Sequence, residues 1–136
     1  MADTLKLEIV TPEGTVFAER VKMVTLPAIE GQMGVLPHHI RLMTQIVPGE
    51  IIVHAIDRDR FLAVGGGLVD VTGDRVMVLT DMAVAVESID EAKAQEAKER
   101  AAARLREKLS DEEVASVNAS LTRSLAQLRV KRRHRT

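Results

Sequence analysis

The hydrophobic pattern changes its period once along this 136-residue chain, at Ser88. Before that residue, apolar side chains alternate with polar ones or form short blocks between Gly, Pro and Asp, which is typical of β-strands and turns. After it, apolar residues recur every three or four positions and neither Gly nor Pro occurs, which predicts helix. The pattern therefore predicts a β-unit followed by a helical unit.

Short strands with frequent turns are predicted for the first part of the chain. Leu5, Leu7 and Ile9 alternate with charged residues, which is the period of a strand with one buried face. The segments between turns are too short to hold the crossover helices that connect parallel neighbours in a sheet. We therefore predict an antiparallel β-sandwich over residues 1–87.

Three features of this β-unit carry local predictions. Pro27 is expected to end a strand that begins at Val21, because proline cannot donate to an interior ladder. Residues 30–39 contain two glycines and a proline and are predicted to form an irregular loop. The glycines at 65–67 lack the Lys and Ser or Thr of a phosphate-binding loop, so they indicate a bulge or close backbone packing.

An antiparallel hairpin of two helices with a basic tail is predicted for residues 88–136. Ser88 and Ser110 are each followed three residues later by Glu, which is the pattern of a capping box. The apolar faces would consist of Ala94, Ala97, Ala101 and Leu105 in the first helix, and of Val114, Val117, Leu121, Leu125 and Leu128 in the second. Burial of the five aliphatic residues contributes on the order of 10 kcal/mol, less than the conformational entropy cost of ordering the hairpin. The hairpin is therefore expected to dock on the β-unit or on a partner, or to alternate between the two.

Charge and composition narrow the range of functions. The net charge is −1, but six basic residues and no acidic ones occur from Arg123 onward. The tail from Arg129 to Arg135 leaves a nucleic-acid-binding module as an alternative, although Phe17 and Phe61 are the only aromatic residues that could stack on bases. No signal peptide and no apolar run of roughly 18 residues is visible, so we expect a soluble intracellular protein.

No catalytic residue or metal site is predicted. The chain has no cysteine, so thiolate ligands and nucleophiles are excluded. His38 and His39 are adjacent, and on an extended segment they would point to opposite sides rather than toward one metal ion. The residues by themselves predict a non-enzymatic binding subunit with a helical arm.

Several stretches together resemble the epsilon subunits of rotary ATP synthases. They are LEIVTPEG at 7–14, GQMGVLPHH at 31–39, VGGGLVDV at 64–71, VMVLTD at 76–81 and IDEA at 89–92. The resemblance covers about residues 4–130, and the order and spacing of the stretches make it specific. It implies a non-catalytic subunit of the central stalk, whose β-sandwich binds the gamma subunit and the c-ring and so couples proton flow to ATP synthesis. It also implies that the hairpin either lies on the sandwich or extends into the alpha/beta head, where it inhibits ATP hydrolysis.

The resemblance also implies three sets of site residues. The c-ring contact loop would include Gly31, Gln32, Met33, His38 and His39. The inhibitory contact to a beta subunit would be made by Arg123, Arg129, Lys131, Arg132 and Arg133. Members of the family that bind regulatory ATP have a pattern that Ile89, Asp90, Arg100 and Arg123 match here, and Lys93 stands at one of its arginine positions.

ATP binding and cellular location follow from the same resemblance. Lys93, Val84 and Gln127 depart from the ATP-binding pattern, and lysine lacks the bidentate fork of arginine, so weak ATP binding or none is expected. No other cofactor is implied. The resemblance places the chain on the cytoplasmic face of a bacterial inner membrane, as a peripheral protein held there through the complex.

Overall fold

The computed structural model describes residues 3–134 as ten strands followed by two α-helices. Strands β1 to β10 span Leu5–Thr11, Gly14–Val21, Met23–Ala28, Gly31–Val35, His39–Ile46, Gly49–His54, Asp59–Val64, Gly67–Gly73, Arg75–Thr80 and Ala83–Ala85. A 3-10 turn at Val86–Ser88 leads to α1 (Glu91–Arg104) and α2 (Asp111–Arg133). The predicted class, a β-unit followed by a helical hairpin, is confirmed; the domain division between residues 87 and 88 stays a prediction.

The strands form one continuous sheet that encloses a single core. Their order is β10-β7-β6-β3-β5-β8-β9-β1-β2, with β4 paired to β3. The alternation in β1 places Leu5, Leu7 and Ile9 in the core, where they meet residues of distant strands such as Ile51 and Val69. All five are fully buried, as expected of apolar side chains on the inner face of a sandwich.

One strand pair departs from the predicted antiparallel arrangement. β1 and β9 run parallel, with Leu7 opposite Val76 and Ile9 opposite Val78. A parallel pair needs a long connection, and here that connection is the rest of the sandwich between the two strands rather than a crossover helix. Paired strands that follow each other in the chain are therefore antiparallel as predicted, whereas β1 and β9, which are far apart in the chain, are parallel.

Pro27 lies inside β3, so the prediction that it ends the strand is wrong. β3 pairs with β6 through Thr25 and with β5 only from Ala28 onward. The missing N–H of Pro27 therefore falls where the strand changes partners, and no ladder hydrogen bond is lost. The Pro27 carbonyl still accepts a hydrogen bond from the Val47 N–H at 2.9 Å.

The irregular loop predicted for residues 30–39 is also wrong, because Gly31–Val35 forms strand β4. β3 and β4 make a hairpin in which Ala28 lies opposite Gly31. Gly31 has φ 129°, a value that residues with a side chain rarely adopt, so its glycine allows the tight return. The irregular segment is confined to the residues between β4 and β5, where His38 has φ 67°.

Close backbone packing at residues 65–67, one of the two outcomes predicted there, is confirmed. A Cβ atom added to Gly67 would lie 1.9 Å from the carbonyl oxygen of Leu79 on the neighbouring strand. One added to Gly65 would lie 1.8 Å from the carboxylate of Asp81. The glycines therefore allow β9 and the Asp81 side chain to approach this segment closely.

The helical hairpin is docked on the sandwich and begins later than predicted. Asp90 caps α1 by accepting a hydrogen bond from the Lys93 N–H at 3.1 Å, so the capping box expected at Ser88 is wrong. Ser88 lies instead in the 3-10 turn. The capping box of Ser110 and Glu113 is present at the start of α2. Asp90 and Ser88 are both strong N-cap residues, and Asp90 caps α1 because it lies directly before the first helical residue.

The buried face of α2 differs in part from the predicted one. Leu128 is buried as expected, while the other four members of the predicted face are only partly buried. The remaining buried residues of α2 are Ser124, Ala126 and Val130. On α1, Ala94 and Ala101 are buried, so the alanine face does pack closely, as alanine permits. The expected docking of the hairpin on the β-unit is confirmed.

The capping box of α2 leads to a test based on pH. The Ser110 N–H and hydroxyl donate to Glu113 Oε1 at 3.2 and 3.0 Å, and with Arg104 nearby they hold the pKa of Glu113 below its usual value of 4.5. Because the pKa is lowered in the folded chain, this stabilisation is present above the pKa of the unfolded chain and is lost as pH falls through the folded pKa. We expect an NMR titration of the Glu113 carboxyl to shift to higher pH in Ser110→Ala. Identical titrations in the two proteins would contradict the capping role.

Candidate functional site: the docked helical hairpin

A small apolar cluster joins the hairpin to the sandwich. Three residues are buried together: Ala63 of β7, Val130 of α2, and Ile89, which precedes α1. Met82, Val84 and Val86 pack around them and are partly buried. Burial of one Ile and one Val side chain contributes about 3–6 kcal/mol at most, so the cluster alone holds the hairpin only modestly.

Polar contacts from the second half of α2 hold the segment between β9 and α1. Arg123 Nη1 lies 3.3 Å from Asp81 Oδ2, and Lys131 Nζ donates to the Val86 carbonyl oxygen at 3.0 Å. The Arg123–Asp81 pair is more than a third exposed on both sides, which limits its contribution to roughly 0–1 kcal/mol. These contacts set the position of α2 on the sandwich more than they stabilise it.

The last turn of α2 contacts both α1 and the sandwich. Arg132 donates to Glu91 Oε1 and to Gln95 Oε1, each at 3.0 Å, and so ties the two helices together. Arg133 Nη1 lies 3.5 Å from Glu50 Oε1, and His134 Nε2 lies 2.6 Å from Glu50 Oε2. Cations at the end of a helix also interact favourably with the helix dipole. The basic tail is therefore in large part engaged by the rest of the chain, and Arg135 lies outside the described residues.

Arg129 differs from the other cations of α2. Its side chain makes no hydrogen bond or ion pair within residues 3–134, whereas Arg123, Lys131, Arg132 and Arg133 are all engaged. It borders a cavity of about 320 Å³ between the sandwich and α2, together with Glu50 and Val130. Of the five residues predicted to contact a beta subunit, Arg129 alone has no role in the docked state within the described part of the chain.

Three of the five residues predicted to bind ATP already have structural roles, and Lys93 contributes only its backbone N–H, to the cap of α1. Ile89 is part of the apolar cluster, Asp90 caps α1, and Arg123 pairs with Asp81. Arg100 borders a shallow groove on α1 with two acidic neighbours, Glu96 and Glu99. Carboxylates beside the arginine disfavour a polyphosphate there.

The residues predicted to form the ring-contact loop lie at two ends of strand β4. Gly31 and Gln32 border the cavity beside α2, and Met33 packs against the core of the sandwich. The histidines lie beyond the other end of the strand, which spans about 13 Å by the rise per residue. The five residues therefore do not form one loop, and their contact with a ring stays a prediction.

The two histidines of this set have separate local partners. His38 Nε2 lies 3.3 Å from Asp3 Oδ2, and its Nδ1 lies 3.4 Å from Asp74 Oδ1. His39 Nδ1 is 2.7 Å from the Ile40 carbonyl oxygen and donates to it. Within the described residues, no group of three or more acidic or histidine side chains is placed to hold a metal ion.

Glu50, Asp81 and His134 complete the docking site and were not predicted. Glu50 and His134 are 84 positions apart in the chain, and neither stands in a motif. Asp81 entered the sequence analysis only as the last residue of the VMVLTD stretch, without a role of its own. Only the fold brings the acceptors Glu50 and Asp81 to the basic helix.

Comparison with known proteins identifies the family. The profile of the ATP synthase delta/epsilon chain beta-sandwich domain matches residues 4–86, and that of the long alpha-helix domain matches residues 87–132. The chain belongs to the ATP synthase delta/epsilon family. The ATP synthase epsilon chain of Dehalococcoides mccartyi is 44% identical over 132 residues, which cover 96% of this chain and 94% of the relative. That of Halorhodospira halophila is 41% identical and covers 93% of this chain and 91% of the relative.

Two solved structures of ATP synthase assemblies contain a chain that superposes on this one. A chain of the Euglena gracilis mitochondrial ATP synthase, solved as OSCP/F1/c-ring, superposes with a TM-score of 0.71 at 25% identity, covering 88% of this chain and 76% of that one. A chain of the Tetrahymena thermophila mitochondrial ATP synthase central stalk and c-ring superposes with a TM-score of 0.63 at 9% identity, covering 98% of each. The second likeness shows the shared fold.

Membership of the delta/epsilon family confirms two predictions. The resemblance to epsilon subunits is confirmed by relatives that span nearly the whole chain. The delta/epsilon chains are not themselves catalytic, so the prediction that this protein is not an enzyme is confirmed as well. Neither helix of the described residues is long and apolar enough to cross a membrane.

Proposed function

We propose that this protein is the epsilon subunit of the central stalk of a rotary ATP synthase and inhibits ATP hydrolysis through its hairpin. The sandwich would bind the gamma subunit and the c-ring, and thereby help couple proton flow to ATP synthesis. The hairpin would leave the sandwich, extend into the alpha/beta head and place its cations against an acidic segment of a beta subunit. The complex would hold the protein as a peripheral subunit on the cytoplasmic face of a bacterial inner membrane.

The observation that carries this proposal is how weakly the hairpin is held. A cluster of three buried residues, the exposed Arg123–Asp81 pair and the contacts of Arg133 and His134 with Glu50 join it to the sandwich. Such contacts sum to a few kcal/mol, since exposed pairs add little, so an undocked form is energetically accessible. The same cations that hold the docked form would be released together for a second acidic partner.

The direct test is ATP hydrolysis by the assembled complex with the whole chain and with residues 88–136 removed. We expect faster hydrolysis by the truncated complex, with the sandwich still bound. Equal rates at equal subunit occupancy would contradict an inhibitory role for the hairpin.

Arg129→Gln is expected to relieve inhibition without changing docking. Arg129 makes no side-chain hydrogen bond or ion pair in the described residues, so its loss leaves the docked hairpin intact and removes one cation from the extended form. An ion pair in a partly desolvated interface contributes on the order of 1–2 kcal/mol, so roughly a several-fold rise in the hydrolysis rate is expected. Hydrolysis assays and subunit occupancy measured on the same complex give the result.

Asp81→Asn provides the opposite control. It removes the partner of Arg123 on the sandwich and leaves every cation of α2 in place. Docking is weakened, so inhibition is expected to increase rather than decrease. If both substitutions moved the hydrolysis rate in the same direction, the proposed division between docking and inhibitory contacts would be wrong.

We further propose that this protein binds regulatory ATP weakly or not at all. The engaged side chain of Arg123 and the two carboxylates beside Arg100 support this. Calorimetry with the isolated subunit tests it, and a micromolar dissociation constant would contradict it. The alternative of a nucleic-acid-binding module gains no support from a basic tail whose cations are largely paired; a salt-dependent gel shift would reopen it.

A further inference from the structure

The end of α2 is attached to the sandwich by a histidine–carboxylate pair. His134 Nε2 donates to Glu50 Oε2 at 2.6 Å, and the imidazole ring lies on Phe61 with centroids 4.0 Å apart and planes at 31°. The side chain of Glu50 is 10% exposed and that of His134 is 23% exposed. A short hydrogen bond between largely buried partners depends strongly on whether the histidine is charged.

The charged groups around this pair come from two elements. Glu50 belongs to β6, and Arg133 of α2 lies 3.5 Å from its other oxygen, Oε1. Arg129, also on α2, borders the same cavity, while β7 contributes the uncharged ring of Phe61. The arginines stay charged at all relevant pH values, so Glu50 keeps a cationic partner when His134 loses its proton. The open cavity of about 320 Å³ gives the carboxylate access to water.

We infer that His134 and Glu50 form a pH-sensitive latch that holds the hairpin on the sandwich. Protonated His134 adds a charge–charge attraction to its hydrogen bond with Glu50, and neutral His134 keeps only the hydrogen bond. Docking is therefore tighter on the acid side, where His134 is protonated, and looser on the alkaline side, where it is neutral. The inference concerns the docked state itself, so it stands or falls separately from inhibition of hydrolysis.

The expected size of the effect follows from the surroundings of the pair. Glu50 is ionised at both pH values, so protonation of His134 adds charge–charge attraction to a hydrogen bond that is already charge-assisted, and the Arg133–Glu50 pair persists at every pH. We therefore expect the equilibrium constant for undocking to be roughly five-fold larger at pH 8.5 than at pH 5.5.

Fluorescence energy transfer within the full chain measures undocking. The natural chain has no cysteine, so dyes can be attached at Arg58→Cys on the sandwich and Asn118→Cys on α2, both of which are exposed positions. Urea titrations at the two pH values give the undocking constant even where the docked form dominates. The expected result is the five-fold change in the otherwise natural chain.

Two histidine variants decide whether the latch is responsible. His134→Gln keeps a hydrogen-bond donor without a titrating charge, so its undocking constant is expected to be the same at both pH values. His38→Gln removes a histidine that pairs with Asp3 and Asp74 on the sandwich, and it is expected to keep the five-fold change. No pH dependence in the otherwise natural chain, or an undiminished one in His134→Gln, would overturn the inference.

Discussion

Gly67→Ala is expected to lower the free energy of unfolding of the sandwich by about 3 kcal/mol. A Cβ atom at this position would lie 1.9 Å from the carbonyl oxygen of Leu79 and 2.9 Å from the Cα of Thr80. Both neighbours are backbone atoms of β9 and cannot rotate away as a side chain could. β8 and β9 would have to separate, which weakens the ladder between them. Urea denaturation followed by circular dichroism gives the loss.

Gly66→Ala is the matched control for this substitution. It adds the same methyl group one position earlier, where the nearest neighbour would be the Ile46 carbonyl oxygen at 3.8 Å, an ordinary contact. We expect a change below about 0.5 kcal/mol. Equal losses for the two variants would mean that a general preference for glycine in this segment, rather than the contact with Leu79, determines stability.

The strands of the sandwich could be predicted from the sequence where alternation and turn residues agree. Leu5, Leu7 and Ile9 illustrate this, because a period of two assigns every apolar residue to one face and the fold buries all three. Pro27 and Gly31 show where prediction failed. Proline and glycine both disfavour a central strand when only the local sequence is considered. Pro27 is tolerated because β3 changes its partner strand there, and Gly31 because it follows a tight hairpin turn. Both conditions are properties of the fold and not of the local sequence.

The docking site of the hairpin was less predictable than the strands. The basic end of α2 was evident from composition, but its acceptors were not, since Glu50 and His134 meet across 84 positions. The resemblance grouped Gly31 and His38 in one loop, and strand β4 separates them. Local pattern identifies the elements, while pairs of exposed charged residues leave no periodic signal that links distant positions.

Val130→Asn is expected to shift the hairpin from docked to largely undocked. Val130 is 2% exposed and packs with Ala63 and Ile89 at the centre of the interface. The substitution removes an apolar contact and places an amide among apolar neighbours, which together cost about 3 kcal/mol or more. That loss corresponds to roughly a hundred-fold increase in the undocking constant, comparable to the whole stabilisation that the small interface provides.

Thr122→Asn separates loss of docking from loss of helix. Residue 122 is exposed on α2, so the same side chain is introduced into the same helix without entering the interface. Energy transfer between dyes at positions 58 and 118 should fall in Val130→Asn and stay unchanged in Thr122→Asn, with the circular dichroism of the strands preserved in both. Unchanged transfer in Val130→Asn would show that the ion pairs, and not the apolar cluster, hold the hairpin. In that case the undocked fraction would rise with salt concentration, because salt screens exposed ion pairs and does not screen buried apolar contacts.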